Sequence, residues 1–192
     1  MRICVYGAAS NAIAQDFIIK TEELGREIAK RGHNMVYGAG ANGLMGAAAR
    51  GCHEGGAHII GVAPKFFNAD GVLFEHCDEL IRTDTMRERK QIMEDSADAF
   101  IIVPGGIGTY EEFFEILTLK QLSQHNKPMV VFNINGYYDT MQEFMHNGIE
   151  HNFMKEGCLE LYKVCTEIDK VFDYIDNYKP EEHDLLYFKE IK

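Results

Sequence analysis

The run Pro104-Gly105-Gly106-Ile107-Gly108-Thr109-Tyr110-Glu111-Glu112 combines the two kinds of group that chemistry on a phosphorylated molecule needs. Before it stands Ala99-Phe100-Ile101-Ile102-Val103, an apolar block that reads as a buried strand, and after it residues 109–124 read as a helix. A glycine loop between strand and helix presents bare backbone N–H groups to an anion, and the helix N-terminus adds partial positive charge. Gly105, Gly106, Ile107, Gly108, Thr109 and Tyr110 are therefore candidates for a phosphate cradle. Glu111 and Glu112 follow in what the sequence places as the first helical turn, where a pure anion site would gain nothing from them. The plainer alternatives are glycines that permit tight packing and acids that complement the helix dipole. Glu112 shares a stripe with Thr109, Ile116 and Leu119, whereas Glu111 aligns with Glu115 and Thr118. Glu112 is thus the carboxylate expected to face inward.

A second group of reactive side chains lies in Thr85-Met86-Arg87-Glu88-Arg89-Lys90. Thr-x-x-Glu is a capping box, which makes Thr85 the N-cap and puts Met86, Arg89, Lys90 and Met93 on one face. An inward guanidinium needs an anion, because burying it alone costs several kcal/mol. The alternative is a structural Arg–Glu pair at a helix start. A third segment, Gly38-Ala39-Gly40-Ala41-Asn42-Gly43, matches the dinucleotide pattern G-x-G-x-x-G. The next strand ends Ile60-Gly61-Val62-Ala63-Pro64 with no acid to hold a ribose, which disfavours NAD. Close backbone approach to a smaller ligand, or packing, fits Gly40, Asn42 and Gly43 better. Glu79 reads as a strand-end acid. His53-Glu54-Gly55-Gly56-Ala57-His58 has the wrong spacing for His-Glu-x-x-His, so no metal site is expected.

The elements that must position these residues alternate along the chain. Strands are expected at 3–6, 34–37, 58–62, 79–82, 99–103, 129–132 and 162–165, and helices at 16–31, 43–54, 86–96, 109–124, 137–147 and 167–177. Such alternation predicts an α/β fold, a doubly wound, Rossmann-like parallel sheet with helices on both faces. Ligands bind such sheets beyond the carboxyl ends of the strands. Loops 7–10, 38–43, 64–74, 83–85, 104–109 and 133–136 all emerge there, adding Gly7, Ser10 and Met86 to the candidates.

At 192 residues the chain reads as one domain over 1–178 with a peripheral tail at 179–192. A net charge of -11 argues against nucleic acid as a partner, since no basic face is available to displace counterions. The five cysteines are odd in number and include no Cys-x-x-Cys pair, as expected of reduced intracellular thiols. With no signal peptide and no apolar run of bilayer length, the expected location is cytoplasmic, away from membranes. The helix at 109–124 carries Phe113, Phe114, Ile116, Leu117, Leu119 and Leu122 around most of its girth, which predicts a partner subunit, most simply a homodimer.

Three motifs in order give the chain a family resemblance over about residues 2–165. Pro104 to Glu112 resembles the Pro-Gly-Gly-x-Gly-Thr-x-x-Glu motif of Lonely Guy (LOG) cytokinin riboside 5'-monophosphate phosphoribohydrolases, long mislabelled lysine decarboxylases. Met86 to Lys90 is similar to their Met-His-x-Arg-Lys, with Arg87 in place of histidine. Tyr37 to Gly46 is similar to their Tyr-Gly-Gly-Gly-x-x-Gly-Leu-Met-Gly, with Ala39 in place of one glycine. The opening Cys4-Val5-Tyr6-Gly7-Ala8-Ala9-Ser10 departs from their Cys-Gly-Ser-Ser. The resemblance implies hydrolysis of the N-glycosidic bond of nucleoside 5'-monophosphates to free base and ribose 5-phosphate, without a cofactor. It implies catalytic places for Arg89 and Glu112, and binding places for Lys90, residues 105–111, Glu79 and Thr118. The alternative is a nucleotide-binding or carrier protein of the same fold, which would bind AMP without releasing adenine.

Overall fold

A computed structural model describes residues 1–67, 71–180 and Phe188. Strands β1 (Arg2–Tyr6), β2 (Asn34–Tyr37), β3 (Ile59–Pro64), β4 (Glu79–Thr83), β5 (Ala99–Ile102), β6 (Met129–Phe132) and β7 (Lys163–Cys165) form one sheet in the order β4-β3-β2-β1-β5-β6-β7. Every pairing is parallel. The helices are α1 (Gln15–Lys30), α2 (Gly43–Glu54), α3 (Met86–Ser96), α4 (Ile107–Gln121), α5 (Asp139–Glu150) and α6 (Ile168–Asp176).

The central strands read as unbroken apolar runs because helices cover both of their faces. Ile3 and Val5 of β1 point into a core with Leu24 and Ile28 of α1, Leu44 and Ala48 of α2, and Phe172 of α6. Cys4 and Tyr6, half a pleat away, point into the opposite core with Met93 of α3, Phe113 and Ile116 of α4, and Met145 of α5. The chain winds outward from β1 through β2, β3 and β4, then crosses back on α3 to place β5 on the other side of β1. That reversal opens a crevice between the carboxyl ends of β1 and β5, where doubly wound sheets bind ligands.

The doubly wound parallel sheet is as expected, and two helices need correction at both ends; α4 stops at Gln121 short of the expected 124, and α5 runs to Glu150 beyond the expected 147. Helix α4 begins at Ile107, not at residue 109, so the glycine loop itself supplies the first turn and Glu111 and Glu112 move to the second. The dipole argument for those acids falls away, since it acts within the first turn. Helix α5 begins at Asp139 instead of 137, because Asn135 and Gly136, at φ 54 and 71, close a separate 3-10 turn at Ile134–Gly136. Short 3-10 structure at Glu156–Leu161, which the periodicity did not reveal, leads into β7. The expected tail at 179–192 lies outside the described residues except for residues 179, 180 and Phe188. Phe188 is buried in the same core as Met93 and Phe113. No helix among the described residues is long and apolar enough to cross a membrane.

Candidate active site

A cleft of about 630 Å³ occupies the crevice at the strand reversal. Sheet order sets its two ends. On the β5 side of β1 its wall is Gly106, Gly108, Thr109 and Glu112; on the β2–β3 side it is Gly40, Asn42, Met45, Phe67, Val72 and Leu73. Gly7 and Ser10 from the loop after β1, with Met86 and Arg89 from α3, line the middle. One end is thus made of backbone and polar groups and the other of apolar side chains. The apolar end is held in place by backbone pairing of Gly40 with Leu73, Ala41 N–H to Val72 O at 2.9 Å, and Phe74 N–H to Ala39 O at 2.9 Å.

Arg89 enters the cleft because the capping box fixes the start of α3. Glu88 N–H donates to Thr85 Oγ1 at 3.1 Å, and Glu88 Oε2 accepts from the N–H groups of Asp84 and Thr85 at 2.8 and 3.2 Å. One turn on, Arg89 is 5% exposed. Its Nε donates to Val62 O at the end of β3, 3.1 Å away, and its Nη1 donates to Glu112 Oε1 at 2.8 Å. Gly38 makes room for it: a Cβ there would lie 1.8 Å from Arg89 Nη2. The Arg–Glu pair that the sequence offered as a structural alternative therefore exists, and it stands in the cleft wall.

Glu112 is 8% exposed, and burial pushes its carboxyl above the usual 4.5 while the Arg89 guanidinium pulls the other way. A carboxylate that is ionised yet poorly solvated is a competent base and a strong partner for developing positive charge. Beneath it, burial holds Tyr6 and Cys4 well above their ordinary values, so both stay protonated beside the pair.

The anion end is the first turn of α4. Gly106 caps the helix with no side-chain cap, and Tyr110 is the first residue whose N–H bonds back, to Gly106 O at 3.0 Å. The N–H groups of Ile107, Gly108 and Thr109 precede it, as at any uncapped helix start. Gly106, Ile107 and Gly108 are exposed there, and Thr109 is buried beneath.

Several candidates lie elsewhere. Lys90 is engaged by Glu111 and by Glu115 Oε2, the latter at 2.8 Å, so its charge is met between α3 and α4, with its side chain 14% exposed. Neither Lys90 nor Glu111 reaches the cleft wall, and the second-turn position of Glu111 turns its side chain toward Lys90. Thr118 donates to Phe114 O at 2.7 Å on the exposed side of α4. Glu79 opens β4 at the amino end of the sheet, the edge opposite the cleft. Gly43, at φ +60, seats the start of α2 against the loop after β1, with its N–H donating to Asn11 Oδ1 at 3.1 Å. Gly105 and Tyr110 stand behind the cradle, where both meet Tyr137: its hydroxyl donates to Gly105 O at 2.6 Å and lies 3.1 Å from the Tyr110 hydroxyl. Tyr137 was missed, as were Asn11, Met45, Phe67, Val72 and Leu73. Their only signal was membership of, or adjacency to, loops at the carboxyl edge.

With this geometry in hand, comparison with known proteins is informative. Residues 45–175 match a family model described as "Possible lysine decarboxylase". The chain is 36% identical over 180 residues to the cytokinin riboside 5'-monophosphate phosphoribohydrolase LOG of Oryza sativa subsp. japonica, covering 94% of this chain and 74% of that protein. It is 31% identical over 185 residues to the cytokinin riboside 5'-monophosphate phosphoribohydrolase LOG2 of Arabidopsis thaliana, covering 96% of this chain and 87% of the relative. Among solved structures, the molybdenum cofactor carrier protein of Chlamydomonas reinhardtii aligns with a TM-score of 0.70 at 23% identity, covering 91% of this chain and 95% of the other. At that identity the likeness is one of fold alone.

Proposed function

We infer that this chain, which belongs to the LOG family, hydrolyses the N-glycosidic bond of cytokinin or adenine nucleoside 5'-monophosphates to free base and ribose 5-phosphate. The observation that carries this reading is the meeting of Arg89 and Glu112, from two different helices, in the wall of a cleft whose end is the uncapped first turn of α4.

The 5'-phosphate sits against the N–H groups of that turn, where the helix dipole favours it. The anomeric carbon then lies along the wall toward Glu112, and the base extends toward Met45, Phe67, Val72 and Leu73. Cleavage of the C1'–N bond builds positive charge on the ribose and negative charge on the departing base. The Glu112 carboxylate stabilises the first and takes a proton from water as its oxygen bonds to C1'. Arg89 holds Glu112 Oε1, leaving Oε2 for the water, and its guanidinium offsets negative charge in the same space. The base leaves with the bonding electron pair and regains a proton, so the sum is one water split between C1' and the base nitrogen. The chemistry calls for no cofactor. The test is chromatographic assay of free base from a panel of nucleoside 5'-monophosphates; release of base from adenine-type members supports the reading, and binding without release overturns it.

Gly38→Ala gives a prediction confined to Arg89, because the added methyl collides with that guanidinium. Displacing a positioned group by about 1 Å costs on the order of 10²-fold in rate. Turnover in the variant is expected to fall by about that much, with the change in kcat larger than that in KM.

We also propose a homodimer through α4. Phe113, Ile116 and Leu117 are covered by the chain's own core, but Phe114, Leu119 and Leu122 stay half-buried and Ile107 is 87% exposed. Light scattering is expected to give about twice the 21.8 kDa chain mass, and a monomer at micromolar concentration overturns the dimer.

A further inference from the structure

The phosphate cradle contains a weak link, the peptide between Gly105 and Gly106. Two glycines flank it, so neither side chain restrains its plane, and such a peptide turns over at little cost. A trans peptide is planar, so its C=O and N–H point in opposite directions, and no cis bond occurs among the described residues. Whatever holds the Gly105 carbonyl therefore also aims the Gly106 N–H.

Tyr137 holds that carbonyl. It stands in the loop after β6, outside the cleft wall, and its hydroxyl donates to Gly105 O at 2.6 Å. Its hydroxyl has the Tyr110 hydroxyl as a second partner, 3.1 Å away, so a run Tyr110 to Tyr137 to Gly105 is available in which each donor polarises the next. The Tyr137 ring is itself braced at 5.0 Å by the edge of Tyr138 and at 6.2 Å by Phe17 of α1. Burial and the neighbouring Tyr110 push the Tyr137 phenol up to about 12, so it remains a donor across the physiological range.

We propose that Tyr137 is a positioning residue for phosphate recognition: by pinning the Gly105 carbonyl from behind, it turns the Gly106 N–H into the cleft as a further donor to the substrate's phosphate. This rests on the N-glycosidic hydrolase reading of the site, but only on its anion end.

The adjacent tyrosine supplies the control. Tyr138 also donates to a backbone carbonyl of the same motif, Val103 O, at 2.8 Å. The residue after Val103 is Pro104, whose nitrogen carries no hydrogen, so this bond aims no donor. The same hydroxyl also takes the Gly105 N–H, which belongs to the Pro104–Gly105 peptide and not to the Gly105–Gly106 peptide that Tyr137 holds. Tyr138 is 1% exposed and Tyr137 is 42% exposed. Loss of the Tyr138 hydroxyl leaves a buried carbonyl unmet and weakens the fold; loss of the Tyr137 hydroxyl frees a peptide to rotate and weakens the ligand.

The experiment is calorimetric titration of ribose 5-phosphate into wild type, Tyr137→Phe and Tyr138→Phe, with melting temperatures of all three. Tyr137→Phe is expected to bind about tenfold more weakly, the loss of one hydrogen bond to a charged group, with little change in melting temperature. Tyr138→Phe is expected to melt several degrees lower while keeping wild-type affinity at a temperature where it is folded. Wild-type affinity in Tyr137→Phe, or an equal loss in Tyr138→Phe, overturns the assignment. Because the readout is binding of a sugar phosphate, it stands apart from base release: a wild type that binds ribose 5-phosphate yet releases no base from any nucleotide defeats the hydrolase reading and leaves this one in place.

Discussion

Glu112→Gln is expected to lower kcat for base release by about 10²–10⁴-fold, the range for loss of a positioned general base. KM should move little, because the phosphate is held by backbone at the other end of the cleft. The substitution is chosen for what it preserves. Glutamine keeps the side-chain length and an oxygen to accept from Arg89 Nη1, now at 2.8 Å from Glu112 Oε1, but it can neither deprotonate water nor balance a ribosyl cation. Removing one charge of a buried pair is costly, up to about 3–5 kcal/mol when nothing replaces it. The retained acceptor, at a site whose burial already favours the neutral carboxyl, should hold the loss to about 1 kcal/mol or less. The pH profile adds a sign. Burial raises the Glu112 carboxyl above 4.5, so the folded protein protonates it more readily than the unfolded chain does. This group's contribution to stability is therefore greatest below the ordinary carboxylate range and is lost as pH rises through its folded value. Activity runs the other way, since only the ionised base works. Its acid limb should lie above 4.5 in wild type and disappear from the residual rate of the Gln variant.

Omitting the phosphate should matter as much. Adenosine in place of AMP is expected to react with kcat/KM lower by about 10³-fold or more. Three backbone donors at a helix start, each worth about 1.5 kcal/mol or more toward a charged group, sum to that factor. Part of the loss should fall on kcat, because the phosphate positions a carbon it does not touch. Ribose 5-phosphate should inhibit competitively. Comparable kcat/KM for adenosine and AMP would place the recognition energy elsewhere in the cleft.

Much of this arrangement was legible in the sequence, for reasons that can be named residue by residue. The capping box fixed the start of α3 within one residue, and with it the helical face of Arg89. Unbroken apolar runs identified the central strands, and parallel winding then dictated which loops share an edge. Glu112 was separable from Glu111 because Thr109, Ile116 and Glu112 fall on one stripe, and all three are buried. The start of α4 was misplaced because Gly106 to Gly108 argue locally for a loop; that turn is exposed and unpacked, an extension of the buried helix beyond it that residue type does not announce. Helical period turned Lys90 inward, where its side chain is 14% exposed, but it cannot register that Glu111 and Glu115 wait on the neighbouring helix. Tyr137 was invisible for a similar reason: its partner carbonyl is 32 positions away, and a hydroxyl bond to backbone leaves no trace in the partner's residue type. Periodicity reports which way a side chain faces; it does not report what meets it there.

A crystal of the Glu112→Gln variant soaked with AMP tests the central claim most directly. The phosphate is expected within hydrogen-bonding distance of the N–H groups of residues 106–109, with C1' beside the side chain at position 112 and the adenine over Met45 and Leu73. A nucleotide bound in the opposite sense, with its phosphate at the end lined by Phe67, Val72 and Leu73 and its base at the first turn of α4, would contradict the account.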